Sequence, residues 1–153
     1  MSKLEIGDKA PLFSLTDQND QTVSLADFKG KKVLLFFYPK ANTPGCTKQA
    51  CSVKDAAKEL KNLKTIALGI SPDKPDKQKK FDDKHELSFG LLSDPDHKVA
   101  ELYGAWGEKS MYGKTYEGII RSSFVIDEKG KIIQALYKVK PLDTVPKAID
   151  IIK

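Results

Sequence analysis

The chain has 153 residues, 40% of them hydrophobic and 31% charged, a length for one domain and a balance that argues against a disordered or membrane-spanning polypeptide. Its 26 basic and 21 acidic residues leave a net charge of +5, but the lysines are scattered, from Lys31 and Lys32 through Lys58, Lys61 and Lys64 to Lys79 and Lys80, and Arg121 is the only arginine. Without arginine clusters interleaved with aromatics, this charge describes a solvated surface and argues against a nucleic-acid partner.

Residues 1–8 contain no apolar stretch of signal-peptide length, and no segment approaches the ~20 apolar residues of a membrane span. A cytoplasmic address without a membrane partner is therefore expected. No repeat, low-complexity tract or Pro/Gly/Ser-rich linker divides the sequence, so residues 1–153 read as a single domain. Residues 13–16 and 22–25 flank the polar turn Asp17-Gln18-Asn19-Asp20-Gln21, the pattern of an N-terminal β-hairpin. Residues 33–38, Val-Leu-Leu-Phe-Phe-Tyr, are apolar on both faces, as a strand in a covered sheet must be, and Pro39 ends the run.

Beyond a loop, Val53, Ala56, Ala57, Leu60 and Leu63 recur at helical spacing while Lys54, Asp55, Lys58, Glu59 and Lys61 lie off the stripe. A second apolar run at 65–70 completes a βαβ unit with parallel strands and a right-handed crossover. Ser71-Pro72 and Asp94-Pro95 each set a capping residue before a proline, which predicts helices over 72–86 and 95–103, with a short strand at 89–92 between them. Residues 121–126 and 131–136 surround the turn Asp127-Glu128-Lys129-Gly130 as a second hairpin, and a last helix starts near Asp143. A parallel start, an antiparallel finish and helices on both faces predict a three-layer α/β/α sandwich around a central mixed sheet. Trp106, Tyr112 and Tyr116 occupy the Gly-punctuated segment 104–119, where they either wall a pocket or pack over the sheet edge; packing is expected, because large aromatics usually supply buried area.

Reactive groups in such folds collect beyond the carboxyl ends of strands, where loops lead into helix N-termini. Strand 33–38 delivers the chain to Pro39-Lys40-Ala41-Asn42-Thr43-Pro44-Gly45-Cys46, in which Thr43 can cap a helix, Pro44 can open it and Cys46 falls in its first turn. Unpaired N–H groups and the positive end of the helix dipole favour a thiolate there over a thiol. Two cysteines in a chain that needs no staple point to catalysis or redox sensing before a structural disulfide. Cys51 lies five residues on, so an intact helix holds the two Cα atoms roughly 8–9 Å apart. A bridge needs them within about 7 Å, so one could form only if the first turns unwind. No Cys-x-x-Cys is present, and Cys46, Cys51, His85 and His97 lack zinc-site spacing. Both histidines read as surface helix residues. A Cys–His hydrolase and a non-catalytic redox switch remain as alternatives.

Pro39, Thr43 and Cys46 reproduce the Pro-x-x-x-Thr-x-x-Cys motif, and the chain resembles the peroxiredoxins. Cys51 narrows the resemblance to the PrxQ branch, also called bacterioferritin comigratory protein. Ser93-Asp94-Pro95, Tyr103-Gly104, Met111-Tyr112-Gly113-Lys114 and Arg121-Ser122-Ser123-Phe124-Val125-Ile126-Asp127 resemble that branch in order and spacing. The resemblance implies a thioredoxin-like fold that reduces hydrogen peroxide and organic hydroperoxides without a bound cofactor. It implies that Cys46 is the peroxidatic nucleophile and Cys51 the resolving thiol, bridged transiently to Cys46, and that thioredoxin or a thioredoxin-like dithiol re-reduces the pair. Thr43 and Arg121, with backbone N–H groups at Cys46, would bind the peroxide oxygens, and Pro39 would shield the sulfur. A monomer is expected.

Overall fold

The computed structural model describes residues 3–153; Met1 and Ser2, the first two of the eight residues expected to hold no signal peptide, lie outside them. The strands are β1 (Ser14–Asp17), β2 (Thr22–Ser24), β3 (Lys32–Phe37), β4 (Thr65–Ser71), β5 (Gly90–Ser93), β6 (Trp106–Met111), β7 (Lys114–Ile119), β8 (Ser122–Ile126) and β9 (Ile132–Tyr137). The helices are α1 (Pro44–Asp55), α2 (Ala57–Asn62), α3 (Pro75–His85), α4 (Lys98–Leu102) and α5 (Thr144–Ile152), with a 3-10 turn at Leu25–Phe28.

Seven strands form one mixed sheet in the order β2-β1-β5-β4-β3-β8-β9, with β3, β4 and β5 parallel and the outer pairings antiparallel. The continuous apolar run of β3 is explained by its central place, since alternate side chains enter two separate cores. Val33, Leu35 and Phe37 pack with Ile70, Tyr103 and Phe124 on one face. That face is closed by α4, the 3-10 turn and the N-terminal segment through Val99, Leu25 and Phe13. Leu34, Phe36 and the following Tyr38 pack on the other face against Val53, Leu60, Phe81 and Ile149 of α1, α2, α3 and α5. The α/β/α layering follows from this division.

Several boundaries differ from the sequence reading, each for a local reason. The helix after Cys46 is two helices, because the backbone breaks at Ala56 (φ −93°, ψ 6°). The helix expected from Pro72 starts at Pro75. The Ser71 hydroxyl donates to Asp73 Oδ2 (2.8 Å) and accepts from the Asp73 N–H (3.2 Å), closing a turn over Pro72 and leaving the first helical position to Pro75. Asp94 does cap a helix, but across an intervening turn. Its carboxylate accepts from the N–H groups of Val99 (3.3 Å) and Ala100 (3.0 Å), and α4 starts only at Lys98. His97 therefore precedes that helix, at φ 49°, with its ring stacked 3.7 Å from that of Trp106.

Segment 104–119 holds the largest departure. β6 and β7 pair antiparallel as a separate two-stranded ribbon, turned by Tyr112 (φ 54°) and Gly113 (φ 79°), both in the left-handed region that a tight two-residue hairpin loop requires. Trp106 packs on His97 as expected of an edge aromatic, but Tyr112 is 97% exposed and Tyr116 is 42% exposed, so the expectation of packing fails for both tyrosines.

Candidate active site

The site lies where β3 ends and α1 begins. After Tyr38 the chain passes Pro39 and turns at Asn42 (φ 65°), and Thr43 takes up extended geometry (φ −96°, ψ 158°) as the residue before the helix. Pro44 offers no N–H, and the first intrahelical bond runs from the Thr47 N–H to the Thr43 carbonyl (2.8 Å), so the N–H groups of Gly45 and Cys46 lie outside the helical ladder. The Thr43 hydroxyl makes no capping bond to the helix; it donates to the Lys40 carbonyl (2.8 Å). Its proton is thereby committed and its lone pairs remain free to accept. The loop is tied down from behind by the Ala41 N–H, which donates to Asp73 Oδ2 (2.6 Å).

Cys46 is 1% exposed, and its Sγ lies 3.5 Å from Nη2 of Arg121. Arg121 sits between β7 and β8, some 75 residues further along the chain, and the antiparallel pairing of β8 with β3 brings it there. Its other guanidinium nitrogen, Nη1, donates to Oε1 of Gln49 (2.7 Å), and Nε2 of Gln49 donates to the hydroxyl of Thr144 on α5 (2.9 Å). Gln49 and Thr144 are fully buried, so this chain from α5 through α1 to Arg121 is shielded from water. Gly45 gives the guanidinium room, since a Cβ there would sit 3.0 Å from Nη2 of Arg121.

A cleft of about 370 Å³ opens beside Arg121, lined by Pro39, Ile120 and Val139 with Glu108, Lys109 and Lys138. Lys109, on β6, is drawn below the usual lysine range first by partial burial and then by the Arg121 charge, while Cys46 acts in the opposite sense. Tyr38, packed beneath the site and bonded through its hydroxyl to Gln78, has its phenol pushed up by burial.

The structure therefore brings Pro39, Thr43, Cys46 and Arg121 to one end of the sheet. Cys51 lies apart from them: it is partly buried against the helical core about one and a half turns further along the unbroken α1, and both cysteines are free thiols. His85 ends α3, with Nε2 3.4 Å from Oδ1 of Asn42. Among the described residues no group of three His, Cys, Asp or Glu could hold a metal ion. Sequence reasoning did not find Gln49, Thr144, Gly45 or Lys109. Only Gln49 carried any signal there, as a polar residue one turn after Cys46.

A thiol held beside an arginine at the opening of a helix, beyond a covered parallel strand, is the arrangement of a thiol-dependent oxidoreductase. A family model described as AhpC/TSA matches residues 6–135. The peroxiredoxin Bcp of Escherichia coli is 57% identical over 132 residues, covering 86% of this chain and 85% of its own. The crystal structure of peroxidoxin BcpB from Mycobacterium tuberculosis superposes with a TM-score of 0.87 at 34% identity, over 97% of this chain and 96% of that one. A Xanthomonas campestris bacterioferritin comigratory protein, described for its alkyl peroxide reduction activity, gives a TM-score of 0.82 at 29% identity over 92% and 87% of the two chains. The chain thus belongs to the AhpC/TSA family, in the peroxiredoxin Bcp/PrxQ branch, a group of peroxidase oxidoreductases with the thioredoxin-like fold.

Proposed function

We propose that the chain is a single-domain, thioredoxin-dependent peroxidase in which Cys46 attacks hydrogen peroxide and organic hydroperoxides and Cys51 resolves the product. The observation that carries this reading is the Arg121 guanidinium 3.5 Å from a sulfur that is 1% exposed. The Cys46 thiolate attacks the distal oxygen of the hydroperoxide: an S–O bond forms, the O–O bond breaks, and the alkoxide or hydroxide leaves and takes up a proton. Sulfur is oxidised to a sulfenic acid and the peroxide is reduced to an alcohol or water.

Negative charge passes from sulfur to the leaving oxygen in this step. Arg121 and the N–H groups of Gly45 and Cys46 donate towards that charge, electrostatic stabilisation of the kind that dominates many active sites. Thr43, whose proton goes to Lys40, accepts from the hydroperoxide O–H and orients it. Pro39, which lines the cleft beside Arg121, would shield the sulfur from bulk water. The Cys51 thiol then condenses with the sulfenic acid, releasing water and forming a disulfide.

Because α1 is intact with both thiols reduced, condensation needs its first turns to unwind. An external dithiol, thioredoxin or a relative of it, reduces the bridge and becomes a disulfide itself. A monomer in the cytoplasm, where thiols are kept reduced, is the setting this cycle fits; among the described residues no helix is long and apolar enough to cross a membrane. The test is peroxide consumption with thioredoxin, its reductase and NADPH. The native chain should turn over and the Cys46→Ser variant should not; equal rates for the two would refute the assignment.

A further inference from the structure

At the opposite end of β3 from Cys46, roughly 17 Å along the strand, the N-terminal segment crosses the 3-10 turn and leaves a half-enclosed pocket of about 120 Å³. Its wall is core: Leu25, Val33 and Ile126 are buried, and Phe28 is half-buried. Leu12 also lines it, yet is 67% exposed. Four exposed lysines complete the lining, Lys9 and Lys29 with Lys31 and Lys129, and none of the four forms an ion pair among the described residues.

One acid faces them. Asp127 also lines the pocket, but its Oδ1 already accepts from the N–H groups of Lys129 (2.9 Å) and Lys131 (2.9 Å). The neighbouring Glu128 is taken by Lys32 at 3.1 Å. Four cations against this one carboxylate thus leave the rim of an apolar hollow with a net positive charge, at a place the peroxidase chemistry does not use.

We propose that this pocket binds a small amphiphilic anion, a carboxylate carrying an aromatic ring or a short alkyl body. An apolar cavity of about 150 Å³ takes up a benzene ring, so one slightly smaller and open on one side holds a ring with its acidic group at the mouth. The ring would bury against Leu25, Val33 and Ile126 and cover Leu12. The carboxylate would sit among ammonium groups that are hydrated, which makes the polar contribution modest and distributed over several lysines.

Phenylacetate is the probe, with 2-phenylethanol as its uncharged and 2-phenylethylamine as its cationic counterpart, followed by amide chemical shifts in the full chain. Phenylacetate should bind saturably, about tenfold or more tighter than the alcohol, with shifts centred on Leu25, Val33, Ile126 and Gly130. Each of Lys29→Gln and Lys31→Gln should weaken it about threefold, within the range for exposed charge pairs. Ala26→Trp, at an exposed position on the pocket lining, should abolish binding while peroxide turnover stays at the native rate. The proposal is overturned by the absence of saturable binding, by equal affinity for alcohol and carboxylate, or by shifts that centre on Cys46.

Discussion

Replacing Gly45 by Ala separates the site from the fold, because the two should respond with opposite signs. The added Cβ would lie 3.0 Å from Nη2 of Arg121 and 3.7 Å from Cζ, with Pro141 Cγ at 3.8 Å beside it, while ordinary contact begins near 3.4 Å. Gln49 holds Nη1 at 2.7 Å, so the guanidinium clears the methyl by swinging Nη2 outwards. A displacement of about 0.4 to 1 Å lengthens its 3.5 Å contact with Cys46 Sγ accordingly. With an effective dielectric constant of about 20, a unit charge pair loses roughly 0.5 to 1 kcal/mol over that range. The reaction of Cys46 with hydrogen peroxide should slow about two- to fivefold.

Stability should move the other way, since Ala in a helix is favoured over Gly by about 0.5–1 kcal/mol. Stopped-flow oxidation under single-turnover conditions gives the rate, and urea unfolding of the reduced protein gives the stability. An unchanged rate in a protein that is at least as stable as the native chain would refute the view that Arg121 acts on the sulfur from this position.

The Cys51→Ser variant should be oxidised once by peroxide at the native rate but lose thioredoxin-supported turnover; undiminished turnover would mean that another thiol resolves the intermediate. Stoichiometric peroxide should reduce the helical circular dichroism of the native chain and not that of Cys51→Ser, and equal spectra would contradict the unwinding of α1. Gly69→Ala places a Cβ 2.8 Å from Cζ of Phe36 and 3.0 Å from Cε1 of Tyr38 in the middle of the sheet, and should destabilise the chain by about 1–3 kcal/mol in urea. Burial raises the phenols of Tyr38 and Tyr103, so both stay protonated in the folded chain after their unfolded counterparts ionise. The stability they confer is therefore complete below about pH 10 and falls above it, by roughly 1.4 kcal/mol per pH unit for each tyrosine. Burial raises the Tyr137 phenol as well, so urea unfolding between pH 9 and 11 should show a shallower but not abolished fall in Tyr103→Phe, and an unchanged slope would contradict it.

The parts of the fold that were legible in the sequence are those whose side chains enter a core. The run at 33–38 announced a central strand because both of its faces are buried, and Thr43-Pro44 marked the opening of α1 because proline and a capping residue act locally. The ribbon of β6 and β7 buries neither face continuously, so Glu108, Lys109, Glu117 and their neighbours showed no period-two pattern, and only the Tyr112-Gly113 turn could have suggested it. The start of α3 was displaced because two prolines compete for one helix opening and a side-chain bond from Ser71 decides between them.

In the site, the residues on one continuous stretch, Pro39, Thr43 and Cys46, were readable from local order, and Arg121 through its resemblance to a family pattern. Gln49 was not, because its partners Arg121 and Thr144 lie 72 and 95 residues away and only the packing of α5 against α1 brings the three together. Lys109 was missed with its ribbon. The resting structure also leaves Cys51 on an intact helix, so the step that joins it to Cys46 is a property of the oxidised state.

The most direct measurement is the fate of one equivalent of hydrogen peroxide added to reduced Cys51→Ser, followed by peptide mass mapping. One oxygen atom should be found on Cys46, trappable by a sulfenic-acid reagent, with every other residue unchanged. Peroxide consumed while Cys46 stays a free thiol would contradict the account.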